Sequence, residues 1–139
     1  MSAPRLMLVE DTDADAEVVH RAVAACLPGA RLRWLRTGRE AVEVLRSGEA
    51  FPDLVLLDLT LPDASGLALL VELRGDPGTA RVPVVVLTSS TRQSEVDAAY
   101  DAGAHGFVTK PSSPVAAMEA LRQVCEYWFG PVRRPGRPR

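Results

Sequence analysis

Lysine is almost absent from this 139-residue chain, because fifteen of its sixteen basic residues are arginine and Lys110 is the single lysine. Four of the arginines lie in the last nine residues, 131–139, which contain no acid. Residues 1–130 therefore hold twelve basic and eighteen acidic residues, so this body carries −6 and the end carries +4. A nucleic-acid-binding domain needs a clustered basic face, so an acidic body argues against one.

Cysteines and long apolar runs are also scarce. Cys26 and Cys125 lie far apart and form no Cys-x-x-Cys or Cys/His cluster, so we expect two reduced, buried thiols. No apolar run approaches the roughly 18 residues that cross a bilayer, and the first residues have no signal-peptide layout. We therefore expect a cytoplasmic domain over residues 1–130 with no membrane or nucleic-acid partner, followed by a disordered Pro/Arg tail at 131–139.

Short apolar runs alternate with helical patterns along the body of the chain. The runs at 53–58 and 83–88 are apolar on both faces, and such strands need helices on both sides, as in parallel sheets. The pattern predicts strands at 6–9, 30–35, 53–58, 83–88 and 105–109, and helices at 13–27, 37–47, 67–73, 94–102 and 114–129. Five such units predict an α/β fold with a doubly wound, five-stranded parallel sheet.

Ionisable and hydroxyl side chains follow four of these strands, at the sheet edge where open α/β folds bind ligands. They are Glu10 and Asp11 after the first strand, Asp58 after the third, Thr88 and Ser89 after the fourth, and Lys110 after the fifth. Carboxylates about 4 Å apart repel by roughly 4 kcal/mol per pair at an effective dielectric near 20, so three of them need a cation. Mg²⁺ suits such oxygen ligands. A nucleophilic carboxylate, a divalent cation, a lysine and a hydroxyl are the parts that form an aspartyl-phosphate.

Each of these residues also has an ordinary structural explanation. Asp58 could be a turn residue, the other acids and hydroxyls could cap helices, and the lysine could be solvated surface. The convergence of all of them on one sheet edge favours a site. The single lysine of an arginine-rich chain favours it too, because a compact, mobile ammonium differs from a planar, forked guanidinium.

The same segments resemble the response-regulator receiver domain, the CheY-like family. The matching segments are LVED at 8–11, LLDLTLPDASG at 56–66, VVLTSS at 85–90 and FVTKP at 107–111, within a resemblance that covers about residues 4–126. The resemblance implies a flavodoxin-like (βα)5 fold with strand order 2-1-3-4-5. It also implies Mg²⁺ as cofactor and a sensor histidine kinase as phosphoryl donor.

The resemblance further implies a role for each matching residue. The roles are phosphoacceptor for Asp58, metal ligand for Asp11 and Asp58, metal contact through water for Glu10, metal contact through the backbone carbonyl for Thr60, phosphate contact for Lys110, switch hydroxyl for Thr88, switch aromatic for Phe107, and a cis proline at Pro111 that turns Lys110 into the site. Three positions depart from common family residues, namely Thr60, Ser65 and Ser90. In the family these positions influence how long the aspartyl-phosphate lasts, so the resemblance implies no particular lifetime for this chain.

Three of the seven aromatic residues stand together as Tyr127-Trp128-Phe129 in the last predicted helix. Consecutive helical residues point about 100° apart, so one buried face cannot take all three. Exposed members could cover a partner or pack on their own domain. A subgroup of single-domain receivers, those paired with phytochrome-type kinases, is resembled by this ending, by the long loop at 74–82 and by the pattern of Thr88-Ser89-Ser90 with Ala98-Ala99-Tyr100.

Such receivers commonly dimerise through the face made by the fourth helix, the fifth strand and the fifth helix. We therefore expect a homodimer and name a bacteriophytochrome as the candidate kinase. The residues expected at the dimer or partner face are Tyr100, Phe107, Tyr127, Trp128 and Phe129.

Three other functions share parts of this site. A phosphate sink that drains a kinase differs from a messenger only in downstream binding. A flavodoxin-like electron carrier needs a hydroxyl-rich loop where Glu10 and Asp11 stand, and a small phosphatase needs a second acid where Thr60 stands. The favoured function is a single-domain response regulator that accepts phosphate without being an enzyme. Because only about ten residues follow the receiver segment, we expect its output to be protein association.

Overall fold

A computed structural model describes residues 3–49, 51–63 and 65–130, and the expected Pro/Arg tail at 131–139 lies outside these residues. Strands and helices alternate as β1 (Arg5–Val9), α1 (Asp13–Cys26), β2 (Arg31–Leu35), α2 (Gly38–Ser47), β3 (Leu54–Asp58), α3 (Gly66–Gly75), β4 (Val84–Thr88), α4 (Gln93–Asp101), β5 (Gly106–Thr109) and α5 (Pro114–Phe129). All neighbouring strands are parallel, in the order β2-β1-β3-β4-β5. The predicted fold class and strand order are confirmed.

Two apolar cores cover the two faces of the sheet. One core joins the sheet to α2 and α3, and the other joins it to α1 and α5. Every residue of β3 and β4 is buried, which explains why these strands lack the alternation of a half-exposed strand. In contrast, β2 lies at the sheet edge and buries only Leu35. The helices therefore fix the central strands from both sides and leave their carboxyl ends at one edge.

The third helix ends two residues later than predicted and places Arg74 at the amino end of the sheet. The half-buried Arg74 guanidinium donates to the carbonyls of Val82 at 2.7 Å, Ala80 at 3.2 Å and Gly103 at 2.7 and 3.0 Å. It also lies 3.1 Å from Nδ1 of His105. This side chain therefore joins the end of the 76–82 loop to the segment that enters β5.

The last helix ends in the three adjacent aromatics, whose exposure differs as the helical geometry predicts. Tyr127 is 55% exposed, whereas Trp128 and Phe129 are partly buried against the core beneath α1 and α5. The Trp128 ring lies edge-on to His105, with the ring centroids 6.0 Å apart. The aromatic cluster therefore packs on its own domain while presenting Tyr127 at the surface.

The two cysteines are free thiols near the second core. Cys125 is buried, as expected, and burial raises the pKa of its thiol to about 11. Cys26 is only partly buried, which differs from the expectation of two buried thiols. Among the described residues, no helix combines the length and the apolar character needed to cross a membrane.

The prediction of a cis proline at Pro111 is wrong. The Lys110–Pro111 bond is trans, like every other peptide bond between described residues. Trans is the lower-energy form of an X–Pro bond by about 0.5–1 kcal/mol. With this backbone the Lys110 ammonium already reaches Glu10 at 2.6 Å, so the lysine enters the site without a cis bond.

Gly66 is required by the close approach of the chain that leaves β3. A Cβ at this position would lie 2.5 Å from the Asp58 carbonyl oxygen and 2.7 Å from Leu59 Cα, which are backbone atoms. We expect Gly66→Ala to lower the free energy of unfolding by about 1–3 kcal/mol in urea titrations. Gly75→Ala, at the other end of α3 with nothing within 4 Å, should change it by less than about 1 kcal/mol. Equal effects of the two changes would contradict the steric argument.

His105 should make folding stability depend on pH. Its Nδ1 accepts from the Val84 N–H at 3.2 Å and lies beside the Arg74 guanidinium. Desolvation, followed by Arg74, lowers the pKa of His105 below its ordinary value of 6.5. The unfolded chain therefore binds this proton more readily, so stability falls as the pH drops through about 6.5.

The change that tests this is His105→Asn, which keeps an acceptor near the Nδ1 position without the titration. Urea titrations between about pH 7.5 and 5.5 should show a smaller loss of stability than in the wild type. The surface residue His20 supplies the matched control as His20→Asn, which should keep the wild-type loss. The same pH dependence in all three proteins would rule out the role of His105.

Candidate functional site

Three acids meet at the carboxyl edge of the sheet. Glu10 follows β1, Asp58 is the last residue of the neighbouring strand β3, and Asp11 comes next to Glu10. Carboxylate oxygens of all three lie within 4.8 Å of one another. Glu10 and Asp58 are almost fully buried, and Asp11 is partly exposed. The structure therefore brings together the acids that the sequence placed at one edge.

The charge of this group fits a divalent cation. Burial is the largest influence on the Glu10 carboxyl and raises its pKa, and the Asp58 charge adds to the rise while Lys110 opposes it. One ammonium cannot offset three carboxylates, whereas oxygen ligands at this spacing are those that Mg²⁺ takes in proteins. Glu10, Asp11 and Asp58 are thus the residues that would hold the metal.

Thr60 lies in the loop after β3, where its backbone N–H donates to Oδ1 of Asp58 at 3.2 Å. This bond holds the Asp58 carboxylate in place from its own loop. The expected metal contact of the Thr60 carbonyl stays a prediction.

Lys110 Nζ lies among acids, as expected, and one of them is an acid that the sequence reading missed. It donates to Glu10 Oε1 at 2.6 Å and to Asp15 Oδ2 at 2.9 Å, and it lies 3.8 Å from Asp58 Oδ2. Desolvation acts against the charged form, but the hydrogen bonds to Glu10 and Asp15 outweigh it and raise the pKa of Lys110. The bond from Lys110 in turn lowers the pKa of Asp15.

A sequence signal for Asp15 was present. Asp15 stands one helical turn before Val19, and Val19 and Ala22 belong to the buried face of α1. Residues four apart in a helix lie on the same face. Asp15 therefore lies on the face of α1 that packs against the sheet, in the first turn of the helix and so at the end near the site.

Thr88 ends β4 next to the acids and is buried. Its Oγ1 accepts from the Ser90 N–H at 3.3 Å, and the Ser90 carbonyl accepts from Thr109 Oγ1 of β5 at 3.1 Å. The Lys110 N–H also donates to the Thr88 carbonyl at 2.6 Å. Residue Thr88 is therefore linked to the carboxyl end of β5 in two places.

Phe107 is partly buried in β5, opposite Val86 in the register. Its neighbour Val108 packs on the core beneath α1 and α5, so Phe107 lies on the other sheet face. The two expected switch residues Thr88 and Phe107 thus lie on adjacent strands, and their switching stays a prediction.

The loop after β3 is held by Asp63, another residue that the sequence reading missed. Its carboxylate accepts from the backbone N–H groups of Gly38 and Arg39, each at 3.0 Å, at the start of α2. These bonds, with that to Gly38 the strongest influence, lower the pKa of Asp63. Ser65, which departs from the common family residue, caps α3 by accepting from the Ala68 N–H at 3.0 Å.

Strand β2 supports the acids from the sheet edge. Trp34 Nε1 donates to the Glu10 carbonyl at 2.7 Å, and the Arg36 guanidinium lies 4.1 Å from the centre of the Trp34 ring. Arg36 also donates to the Asp11 carbonyl at 3.4 Å and pairs with Asp13 at 2.6 Å. The backbone carbonyls of both adjacent acids therefore accept from side chains of β2 and of the residue that follows it.

Known proteins share both the sequence and the shape of this chain. The probable methanogenesis regulatory protein FilR2 of Methanothrix harundinacea is 35% identical over 135 residues, covering 94% of this chain and 87% of that protein. Response regulator Rcp1 of Synechocystis is 30% identical over 135 residues, covering 94% of this chain and 92% of that protein.

Solved structures agree. The phosphorylated cyanobacterial phytochrome response regulator RcpA superposes with a TM-score of 0.90 at 30% identity, covering 97% of this chain and 100% of that one. The Mn²⁺-bound form of Rcp1 gives a TM-score of 0.87 at 30% identity, covering 96% and 99%. The family model for the response regulator receiver domain matches residues 6–122, so this chain belongs to the response regulator receiver domain family.

Proposed function

We propose that this chain is a single-domain response regulator that takes a phosphoryl group onto Asp58 from a sensor histidine kinase. The observation that carries the proposal is the position of the buried Asp58 carboxylate, within 4.8 Å of two further acids and 3.8 Å from the only lysine of the chain. The match to FilR2 and Rcp1 along most of their lengths supports a receiver that acts without an output domain.

The chemistry follows from the carboxylate. An Asp58 oxygen attacks the phosphorus of a phosphohistidine, a P–O bond forms, and the P–N bond breaks with its electron pair going to the imidazole, which then takes a proton from solvent. Mg²⁺ bound by Glu10, Asp11 and Asp58 would neutralise charge on the phosphoryl oxygens. Thr60 N–H keeps the carboxylate oriented through its bond to Oδ1. The chain acts as the acceptor of the group and not as an enzyme.

Phosphorylation then changes the charge at the edge of β4 and β5. The new group brings about −2 of charge and strong acceptor oxygens. The Thr88 hydroxyl, which accepts a bond from Ser90, can donate its hydrogen to such an oxygen. Because Ser90 is bonded to Thr109, a shift of Thr88 would be passed to β5 and Phe107, and so to the surface formed by α4, β5 and α5.

The same surface is the proposed site of homodimerisation. Tyr100 on α4 is 49% exposed and Tyr127 on α5 is 55% exposed, which are large fractions for aromatic side chains. A phytochrome-type kinase is the proposed phosphoryl donor, because the structurally similar RcpA is a phytochrome response regulator.

Replacement of the phosphoacceptor tests the proposal directly. With acetyl phosphate and Mg²⁺, the wild type should gain one phosphoryl group, seen by intact-protein mass, and Asp58→Asn should gain none because an amide is no nucleophile. Asp101→Asn, an exposed acid at the end of α4, should behave as the wild type. Chelation of the metal should abolish the gain in the wild type and in Asp101→Asn, and uptake by Asp58→Asn at the wild-type rate would disprove the assignment.

A charge placed on the proposed dimer surface should separate the chains. Light scattering at tens of micromolar should give two chain masses for the wild type, and one for Tyr100→Glu because a buried unpaired carboxylate is costly. Val71→Glu, on the exposed side of α3, should stay dimeric. A one-chain mass for the wild type, with and without beryllofluoride, would contradict dimerisation.

A further inference from the structure

The ammonium of Lys110 lies at different distances from three carboxylates. Nζ is at hydrogen-bond distance from Glu10 and Asp15, at 2.6 and 2.9 Å, but 3.8 Å from Asp58. A nitrogen and an oxygen 3.8 Å apart are too distant for a hydrogen bond, so the acceptor of the phosphoryl group is the carboxylate that this lysine contacts least. The resting lysine is therefore hydrogen-bonded to Glu10 and Asp15 and only ion-paired with Asp58.

Asp15 differs from the other two partners in both place and exposure. It comes from the first turn of α1, its side chain is 46% exposed, and the described acids close enough to share a metal ion are Glu10, Asp11 and Asp58 without it. Asp15 thus attracts Lys110 from outside the metal group. The Asp15–Lys110 bond is present in the unphosphorylated protein, and Asp15 is not one of the acids that would bind the metal.

We propose, on the basis of the function proposed above, that Asp15 is a positioning residue that holds Lys110 back from Asp58 until a phosphoryl group competes for it. The lysine has three N–H donors on one mobile stem, so it can exchange one carboxylate for a phosphoryl oxygen. The Asp15 charge also repels the incoming anion. Both effects favour the unphosphorylated state. The negative charge of Asp15 also favours the binding of a cation by the neighbouring acids.

Removal of the Asp15 charge should therefore move two affinities in opposite directions. In Asp15→Asn, calorimetric titration should show weaker Mg²⁺ binding and tighter beryllofluoride binding at saturating Mg²⁺, each by about two- to fivefold, as expected for a half-exposed ion pair. Asp15→Glu, which keeps the charge, should restore both affinities toward the wild type. A merely structural role would move both affinities the same way.

The matched control is Glu17→Gln on the same helix. Glu17 loses the same charge but pairs with Arg21 at 2.9 Å instead of Lys110, so both affinities should stay at the wild-type values. Wild type that binds neither ligand would overturn the proposed function itself. If the wild type binds both ligands, the role of Asp15 alone is overturned by any of three results. These are an Asp15→Asn variant with both affinities unchanged, one with both affinities moved in the same direction or only one affinity moved, and a Glu17→Gln variant with the same changes as Asp15→Asn.

Discussion

Mutual repulsion of carboxylates at the sheet edge is the constraint on which the rest of the site depends. Glu10, Asp11 and Asp58 have oxygens within 4.8 Å of one another, and two of these residues are almost fully buried. Like charges this close destabilise a fold unless cations or donors offset them. Lys110 supplies one positive charge, and Thr60 supplies a backbone donor to Asp58. The remaining negative charge is what makes the edge a place for a metal ion.

The sheet makes this arrangement rigid. Asp58 and Thr88 are the last residues of two strands that are buried at every position, so their side chains inherit the fixed position of the core. Glu10 has its backbone N–H bonded to Leu35 and its carbonyl bonded to Trp34, both in β2. An edge strand that buries little apolar surface of its own thus contributes by holding the backbone of an acid.

Much of this architecture is readable in the sequence because periodicity and strand ends are local signals. The two-sided strands at 53–58 and 83–88 predict a parallel sheet, and its carboxyl edge then gathers Asp58, Thr88 and Lys110 without further information. The same reasoning places Glu10 and Asp11 at this edge, because they follow the first strand. The expected cis proline came from family resemblance alone, and the trans bond shows that the lysine reaches the acids without it.

The contacts that could not be predicted depend on distances between elements. Asp15 meets Lys110 across 95 positions of sequence, and Asp63 meets Gly38 across 25. The helical register of Asp15 with Val19 places this acid on the buried side of α1 but does not identify its partner, and nothing in the sequence distinguishes Asp63 from another loop acid. Only the packing of α1 against the sheet, and of the β3–α3 loop against α2, decides which acid finds such a partner.

Arg74 has a mechanical consequence for the strand that carries the lysine. Its bonds to Gly103 and its contact with His105 fix the segment entering β5, and His105 itself accepts from Val84 of the neighbouring strand. Lys110 follows the other end of β5. Because the amino end of the strand is fixed, any displacement that accompanied an exchange of the lysine's partners would be largest at the carboxyl end.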